Sequence, residues 1–193
     1  MKFDRKARRK KWAKALSAES AYNRKLVEVA KIIGTIVDGM APDGVVTDMD
    51  KLIKVLTDYA ELLTPWAESV AGFMLADVAR RDKAMWWQNS KEMAQGLTHE
   101  IETAPTGGIL RALQAEQVTL IKSLPLEAAT RVHELSVGAL TDSSRASTLA
   151  KEILATSSVT ESRARLIART EVSRASSNLL QARAQWKQRR QES

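Results

Sequence analysis

The stretch TESRARLIARTEVSRASSNLLQAR, residues 160–183, decides the fold of this chain. At 100° per residue its small and apolar side chains fall on one side, which predicts an amphipathic helix. Most residues on that side are alanine, so a second helix can approach its backbone closely. This alanine face consists of Ala164, Ala168, Val172, Ala175, Leu179, Ala182 and Trp186.

Two polar residues, Glu171 and Asn178, lie one heptad apart at the edge of the alanine face. A carboxylate and an amide there need hydrogen-bond partners if they are buried. Glu171 has two interpretations, a catalytic carboxylate or a polar group that orders helix packing. Glu171 has no neighbouring acidic residue, and the sequence contains no nucleotide-binding motif. We therefore interpret Glu171 and Asn178 as a helix-packing polar pair and predict no catalytic residue.

Composition favours an all-α protein. The 193 residues include only 4 Pro and 8 Gly, and no stretch alternates polar and apolar residues long enough to indicate a strand. The chain contains no Cys, which excludes disulfides and thiolate metal sites. Its apolar runs are too short for a membrane span and its N-terminus lacks a signal-peptide core. We expect a soluble protein made in a reducing compartment.

Basic residues concentrate at the two ends of the chain. Residues 1–14 hold eight basic residues and one acid, and residues 163–193 hold eight basic residues and two acids. The middle, residues 15–162, holds fourteen basic residues and twenty acids. Such basic segments are typical of binding to polyanions or to acidic protein surfaces. The alternative interpretation of the N-terminal segment is a solvated tail without a partner. The candidate DNA or portal contacts are Lys2, Arg5, Lys6, Arg8, Arg9, Lys10, Lys11, Lys14, Arg189 and Arg190.

Capping and proline signals divide the first half into helices. A long helix over residues 3–38 is predicted to end at Gly39 and the turn that follows. Thr47 is the predicted N-cap of the next helix, which extends to about residue 63. The pair Thr64-Pro65 predicts a restart, with a helix that reaches residue 103.

The second half follows a break at residues 104–108, APTGG. Helices are predicted over residues 109–123, from Pro125 to about residue 140, from a cap at 142–144 to residue 154, and from a cap at Thr160. We therefore predict an elongated multi-helix assembly with long N-terminal helices and a compact C-terminal helical part. Its regions are residues 1–104, with the basic tail 1–14, and residues 105–193.

Motifs that would indicate catalysis or cofactor binding are absent from the sequence. His99 and His133 have no ligand-spaced partner, and neither a phosphate-binding glycine loop nor a Gly-x-Ser-x-Gly elbow occurs. Trp86 and Trp87 could stack on bases, but adjacent helical residues point about 100° apart, which favours core or interface positions. We expect no cofactor, no metal and no small-molecule substrate.

From Glu116 onward the order of segments resembles the phage Mu F-like head morphogenesis, or minor head protein, family. The matching elements are VTLIKSLP at 118–125, a helix with Val132 and Leu135, LAKEI at 149–153, SRARLIARTE at 162–171, and Asn178. Residues 1–105 match only in being helical. Members of the family usually continue into a mixed α/β segment, which this chain is expected to lack. Its alanine face would then be left for another helix or another chain.

The resemblance implies a minor capsid protein of a tailed bacteriophage. Such a protein has no enzymatic activity, is made in the host cytoplasm and resides inside the phage head near the portal. Its implied partner is the portal protein, and further candidates are packaged double-stranded DNA, the major capsid protein and its own copies, with no membrane. It would support DNA packaging or ejection. The alternative is a DNA-binding accessory protein that acts through its basic termini.

Overall fold

The computed structural model describes residues 5–90, 106–142 and 145–191, with side chains for 18–84, 106–142, 145–185 and 188. These residues contain six α-helices, a short 3₁₀ turn at Pro42–Gly44 and no strand, which confirms the all-α prediction. The helices are α1 (Arg5–Met40), α2 (Met49–Leu62), α3 (Thr64–Ser90), α4 (Gly107–Thr141), α5 (Ala146–Leu154) and α6 (Thr156–Gln191). None of the described helices is long and apolar enough to cross a lipid bilayer.

Two of the helix boundaries are single-residue bends. Leu63 separates α2 from α3 with φ −70° and ψ −17°, and Ala155 separates α5 from α6 with φ −76° and ψ −3°. Both backbone N–H groups still donate to the carbonyl four residues earlier, on Tyr59 and Lys151, at 3.0 Å. In the pairs α2–α3 and α5–α6 a single residue thus joins two helices and keeps its helical hydrogen bond. We call each such pair a rod, so the described chain consists of four rods, α1, α2–α3, α4 and α5–α6.

The four rods alternate in direction. Along α4, Lys122 contacts Glu61 and Gln114 contacts the Glu68 carbonyl, so α4 runs antiparallel to α2–α3. The pairs Glu127–Arg163 and Gln117–Glu171 make α4 antiparallel to α6 as well. The most extensive contact joins α1 to α6. The result is an up-down-up-down helix bundle.

One hydrophobic core extends through the bundle from Ala18 to Leu179. Its contributors come from residues 1–104 and from residues 105–193 alike. The two regions predicted from the sequence therefore share one core. Their division into separate units stays a prediction. The largest fully buried apolar side chains are Leu26, Ile33, Leu52, Leu56, Ile121, Leu124 and Leu179.

The first turn after α1 agrees with the sequence prediction. Helix α1 ends at Met40, and Asp43 and Gly44 follow with positive φ values of 57° and 77°. A Cβ on Gly44 would lie 2.7 Å from the carbonyl carbon of Ala150, so this turn packs directly on α5. Glycine is required here both for the left-handed backbone and for the close approach.

The predicted N-cap of α2 was wrong by one residue. Asp48, not Thr47, occupies the cap, and its Oδ1 accepts a hydrogen bond from the Lys51 N–H at 2.9 Å. A carboxylate at this position also interacts favourably with the positive end of the helix dipole.

The predicted break at Pro125 does not occur, because α4 is one helix from Gly107 to Thr141. An internal proline removes one backbone hydrogen bond, here to Ile121, and costs about 3 kcal/mol. The residues around it, Leu124, Ala128 and Ala129, are buried on the same side of the helix. We attribute the continuity to this uninterrupted burial, which offsets the cost of the proline.

The last helix begins earlier than predicted. Thr160 lies one turn inside α6, where its hydroxyl donates to the Thr156 carbonyl at 2.8 Å instead of capping the helix. The bend at Ala155 keeps its helical hydrogen bond, so the helix resumes at Thr156. The predicted extension of α3 to residue 103 and the break at 104–105 lie outside the described residues.

Candidate functional site: a buried polar cluster between three helices

A chain of hydrogen bonds between buried side chains connects α1, α4 and α6. Gln117 of α4 is fully buried, and its Nε2 donates to Glu171 Oε2 on α6 at 2.6 Å. The Tyr22 hydroxyl of α1 donates to Gln117 Oε1 at 2.8 Å. One amide thus bridges the other two helices. We call Tyr22, Glu116, Gln117, Glu171 and Arg174 the Glu171 cluster.

Arg174 supplies the positive charge of the cluster. Its Nε donates to Glu171 Oε2 at 2.9 Å from one turn along the same helix. A terminal nitrogen of Arg174 also pairs with Glu116 of α4. The buried Glu171 charge is therefore compensated by a guanidinium that reaches the surface. Such compensation is required because an unpaired buried carboxylate is strongly destabilising.

Burial, reinforced by the nearby Glu171 charge, raises the pKa of Tyr22 well above its usual value. The phenol consequently stays protonated throughout the physiological pH range and serves as a permanent donor to Gln117. Gln117, Glu171 and Arg174 are likewise bonded to one another, so the polar groups of the cluster are used in contacts between side chains of the protein itself. The arrangement suits the joining of helices better than proton transfer to a substrate.

Sequence analysis identified Glu171 but missed its partner Gln117. Gln117 occupies a core position between Leu113 and Ile121, at four-residue spacing, and that polar interruption of an apolar seam was the available signal. Asn178 lies two turns beyond Glu171, is half-buried, and has no hydrogen bond to Glu171 within the described part of the chain. Its packing role stays a prediction.

A second buried polar contact joins α3 to α6. Arg183 Nε donates to Asp82 Oδ2 at 2.6 Å, and the two side chains are 8% and 4% exposed. The other carboxylate oxygen of Asp82 has no hydrogen-bond partner among the described atoms. The sequence contained no signal for this pair, because Asp82 and Arg183 lie 101 residues apart.

The alanine face of α6 is covered by the chain itself. Ala164, Ala168, Ala175 and Leu179 are fully buried, and α1 is the helix that packs most extensively on α6. Of the two expected partners of this face, another helix or another chain, the structure shows another helix, α1 of the same chain. Ala182 is half-buried, and the side chain of Trp186 lies outside the described atoms.

Helices α1 and α6 approach each other closely at Gly34. A Cβ on this buried glycine would lie 2.7 Å from the Ser157 Cβ, which is closer than real side chains pack. The contact joins the C-terminal part of α1 to the first turn of α6. Because Tyr22 and Glu171 meet the same Gln117 further along, residue numbers on the two helices run in opposite directions.

This antiparallel order brings the candidate basic residues to one end of the bundle, where α1 begins and α6 ends. We call it the basic end. Lys2 lies outside the described residues. The other candidates lie on described helix backbone, though their side chains are outside the described atoms. These are Arg5, Lys6, Arg8, Arg9, Lys10, Lys11 and Lys14 at the start of α1, and Arg189 and Arg190 at the end of α6.

A groove of about 800 Å³ lies between α1 and α3. Phe73 and Met74 both line it, Phe73 with 74% of its surface exposed and Met74 buried. Charged residues border it, and Asp77 among them is paired with Arg80 and Arg81. Although burial acts in the opposite direction, these two arginines hold the pKa of Asp77 below its usual value. An exposed aromatic beside an apolar groove is typical of a protein-binding surface.

No group of three or more potential metal ligands occurs in the described portion of the chain. No protein-family model, curated protein or solved structure matches this chain.

Proposed function

We propose that this protein is a minor capsid, or head morphogenesis, protein of a tailed bacteriophage that binds the portal vertex inside the head and supports DNA packaging or ejection. The observation that carries the proposal is the placement of Glu171. It lies in the segment that resembles Mu F-like proteins, and its carboxylate is buried and bonded to Gln117 and Arg174. The most conspicuous polar residue of that segment thus holds helices together, which favours a structural role over catalysis.

The Glu171 cluster also supports a role that depends on a fixed shape. A buried polar network is stable only when its donors and acceptors meet, so it penalises displaced helix registers. The cluster restricts α1, α4 and α6 at once, and the Asp82–Arg183 pair adds α3. Such constraints suit a component that fits between other proteins in an assembly.

The groove between α1 and α3 is the surface we assign to the portal. The alanine face is already covered, whereas Phe73 remains exposed beside apolar surface. A helix of the portal could place its apolar side in this groove. Phe73 is therefore the side chain whose removal should affect the contact most directly.

Co-sedimentation of the purified protein with portal particles at physiological salt tests the proposal. The unmodified protein should co-sediment, and Phe73→Ser should reduce the bound fraction several-fold. Leu140→Ser is the matched control, because Leu140 is 86% exposed at the opposite end of the bundle. Failure of the unmodified protein to co-sediment would reject portal binding. Equal losses for both variants would reject the groove as its site.

A second candidate function is DNA binding through the basic termini. It is favoured by the antiparallel order of α1 and α6, which brings two basic segments together that are far apart in the sequence. Binding to DNA should fall steeply with salt and be largely abolished by deletion of residues 1–14. Unchanged affinity after that deletion would exclude the N-terminal segment as the contact.

A further inference from the structure

We propose that the basic end is one composite surface for the phosphate backbone of double-stranded nucleic acid, formed jointly by the start of α1 and the end of α6. The proposal rests on the second candidate function and deepens it, because it assigns the contact to two helices instead of one tail. It also assigns an orientation, with the long axis of the bundle directed away from the nucleic acid.

The contacts between described residues determine which segments meet. Gly34 touches Ser157, and the Glu171 cluster joins Tyr22 to the middle of α6. Tyr22 lies twelve residues before Gly34 in α1, and Glu171 lies fourteen residues after Ser157 in α6. The two stretches therefore span nearly the same length of the bundle. At the same rise per residue, the first turns of α1 lie level with the last turns of α6.

Helix α3 contributes to the same end. The buried Asp82–Arg183 pair brings this part of α3 against the last third of α6. The neighbouring Lys83 is exposed, so it adds a positive charge to the surface near that contact. Three of the four rods therefore carry basic residues to this end.

The opposite end of the bundle has the opposite charge. Residues 38–50, which connect α1 to α2, contain four aspartates and no basic residue. Asp38, Asp43, Asp48 and Asp50 are all exposed. A bundle with this polarity is attracted to a polyanion by its basic end and repelled at its acidic end. The charge distribution thus orients the molecule before contact.

The spacing of the bases in α1 favours a nucleic acid duplex over an acidic protein surface. Between residues 5 and 18 the chain has no acid, and its bases recur at positions that the helical repeat distributes all round the axis. A duplex that meets the end of the bundle presents a dense and regular array of phosphates, so bases on several sides of the helix end can each pair with one. An acidic protein surface has no such regular array and would leave part of these charges unpaired.

Fluorescence anisotropy of the full chain with a labelled DNA duplex of mixed sequence, measured over a range of salt concentrations, tests this proposal. One variant carries Lys6→Gln, Arg9→Gln and Lys10→Gln in α1, and a second carries Arg189→Gln and Arg190→Gln in α6. The slope of log K against log salt should become less steep by about one for each phosphate contact removed. We expect both variants to reduce the slope, and their combination to reduce it further.

Lys51→Gln with Lys54→Gln is the matched control, since both lysines are exposed on α2 near the acidic end. The control should bind DNA like the unmodified protein, and circular dichroism should show equal helix content in every variant. An unchanged slope for the α6 variant would overturn the composite surface. Equal affinity for poly-glutamate and for duplex would overturn the assignment to nucleic acid.

Portal co-sedimentation of the same variants separates the two proposals. Loss of DNA binding with intact co-sedimentation supports separate surfaces, as the structure places the groove and the basic end on different residues. An unmodified protein that binds portal but no DNA overturns only the composite surface. One that binds DNA but no portal overturns only the portal proposal.

Discussion

The hydroxyl of Tyr22 shows how a single buried group couples the fold to pH. Its pKa is raised in the folded state, so the unfolded chain loses this proton at a lower pH than the folded chain does. The resulting stabilisation is complete below the ordinary tyrosine pKa of about 10 and is lost as the pH rises above it. Tyr22 should therefore limit alkaline stability.

We expect Tyr22→Phe to lower the free energy of unfolding at neutral pH by about 1 kcal/mol through the lost bond to Gln117. Above pH ~10 the unmodified protein should lose up to ~1.4 kcal/mol per pH unit from this group, and the variant should not. Urea denaturation at several pH values measures both. Tyr59→Phe is the comparison, because burial also raises the pKa of Tyr59 but this tyrosine is only half-buried, so its removal should reduce the alkaline loss less. An equal alkaline loss in both variants would contradict the role of Tyr22.

The contact between Gly34 and Ser157 depends on the absence of a single methyl group. Gly34→Ala should destabilise the protein by about 1–3 kcal/mol, because the new Cβ overlaps the Ser157 side chain. Adding Ser157→Gly should restore much of the loss, since the remaining neighbour, the Ser157 Cα, is 3.5 Å away. Thermal denaturation of the two variants measures the difference.

Gly39→Ala is the matched control in the same helix, because a Cβ added at Gly39 would meet no described atom of a neighbouring element within 4 Å. It should be neutral or stabilise by up to about 1 kcal/mol through helix propensity. If Gly34→Ala behaved like Gly39→Ala, the close approach of α1 and α6 at this point would be refuted.

At the scale of elements, one-residue bends and caps determine where the rods begin and end. Leu63 and Ala155 each separate two helices, yet each residue keeps its helical hydrogen bond. A local sequence signal for a helix boundary therefore does not show whether the hydrogen bonding is interrupted there. Thr64-Pro65 correctly indicated a new helix, whereas Pro125 did not. Pro125 is itself buried whereas Pro65 is exposed, so the helix continues at the proline that belongs to the core.

The cap of α2 provides a test at this scale. Asp48→Ala should lower the free energy of unfolding by about 1 kcal/mol, because the Lys51 N–H loses its acceptor. Thr47→Ala, one residue earlier, should change it by less than about 0.5 kcal/mol. Chemical denaturation of the two variants distinguishes the positions. A larger effect at Thr47 would return the cap to that residue.

At the scale of the whole molecule, α1 and α6 form the most extensive helix–helix contact, although they lie at opposite ends of the sequence. The core between them includes residues from both halves of the chain, so neither half can bury its apolar surface without the other. The same contact covers the alanine face and brings the two basic segments together. The packing of α1 on α6 therefore underlies both the stability of the bundle and its charge polarity.

A shared core predicts a single cooperative unfolding transition. Far-ultraviolet circular dichroism and tryptophan fluorescence should report coincident midpoints during urea denaturation. Two separated transitions would instead indicate that residues 1–104 and 105–193 fold independently. Measurement at two protein concentrations shows whether association between copies contributes to the midpoint.

Local features of the sequence were sufficient for the all-α class, the end of α1 near Gly39, the start of α3 at Thr64 and the burial of the alanine face. Helical periodicity, turn residues and caps act over a few residues, so they can be recognised without knowing what packs where. Only the tertiary structure decided that α1 covers the alanine face, that Gln117 and Arg183 find partners far away, and that the two basic segments lie at the same end of the bundle. Those outcomes depend on contacts between segments that are distant in the sequence. The free energy of such packing depends on both partners, so it cannot be inferred from either segment alone.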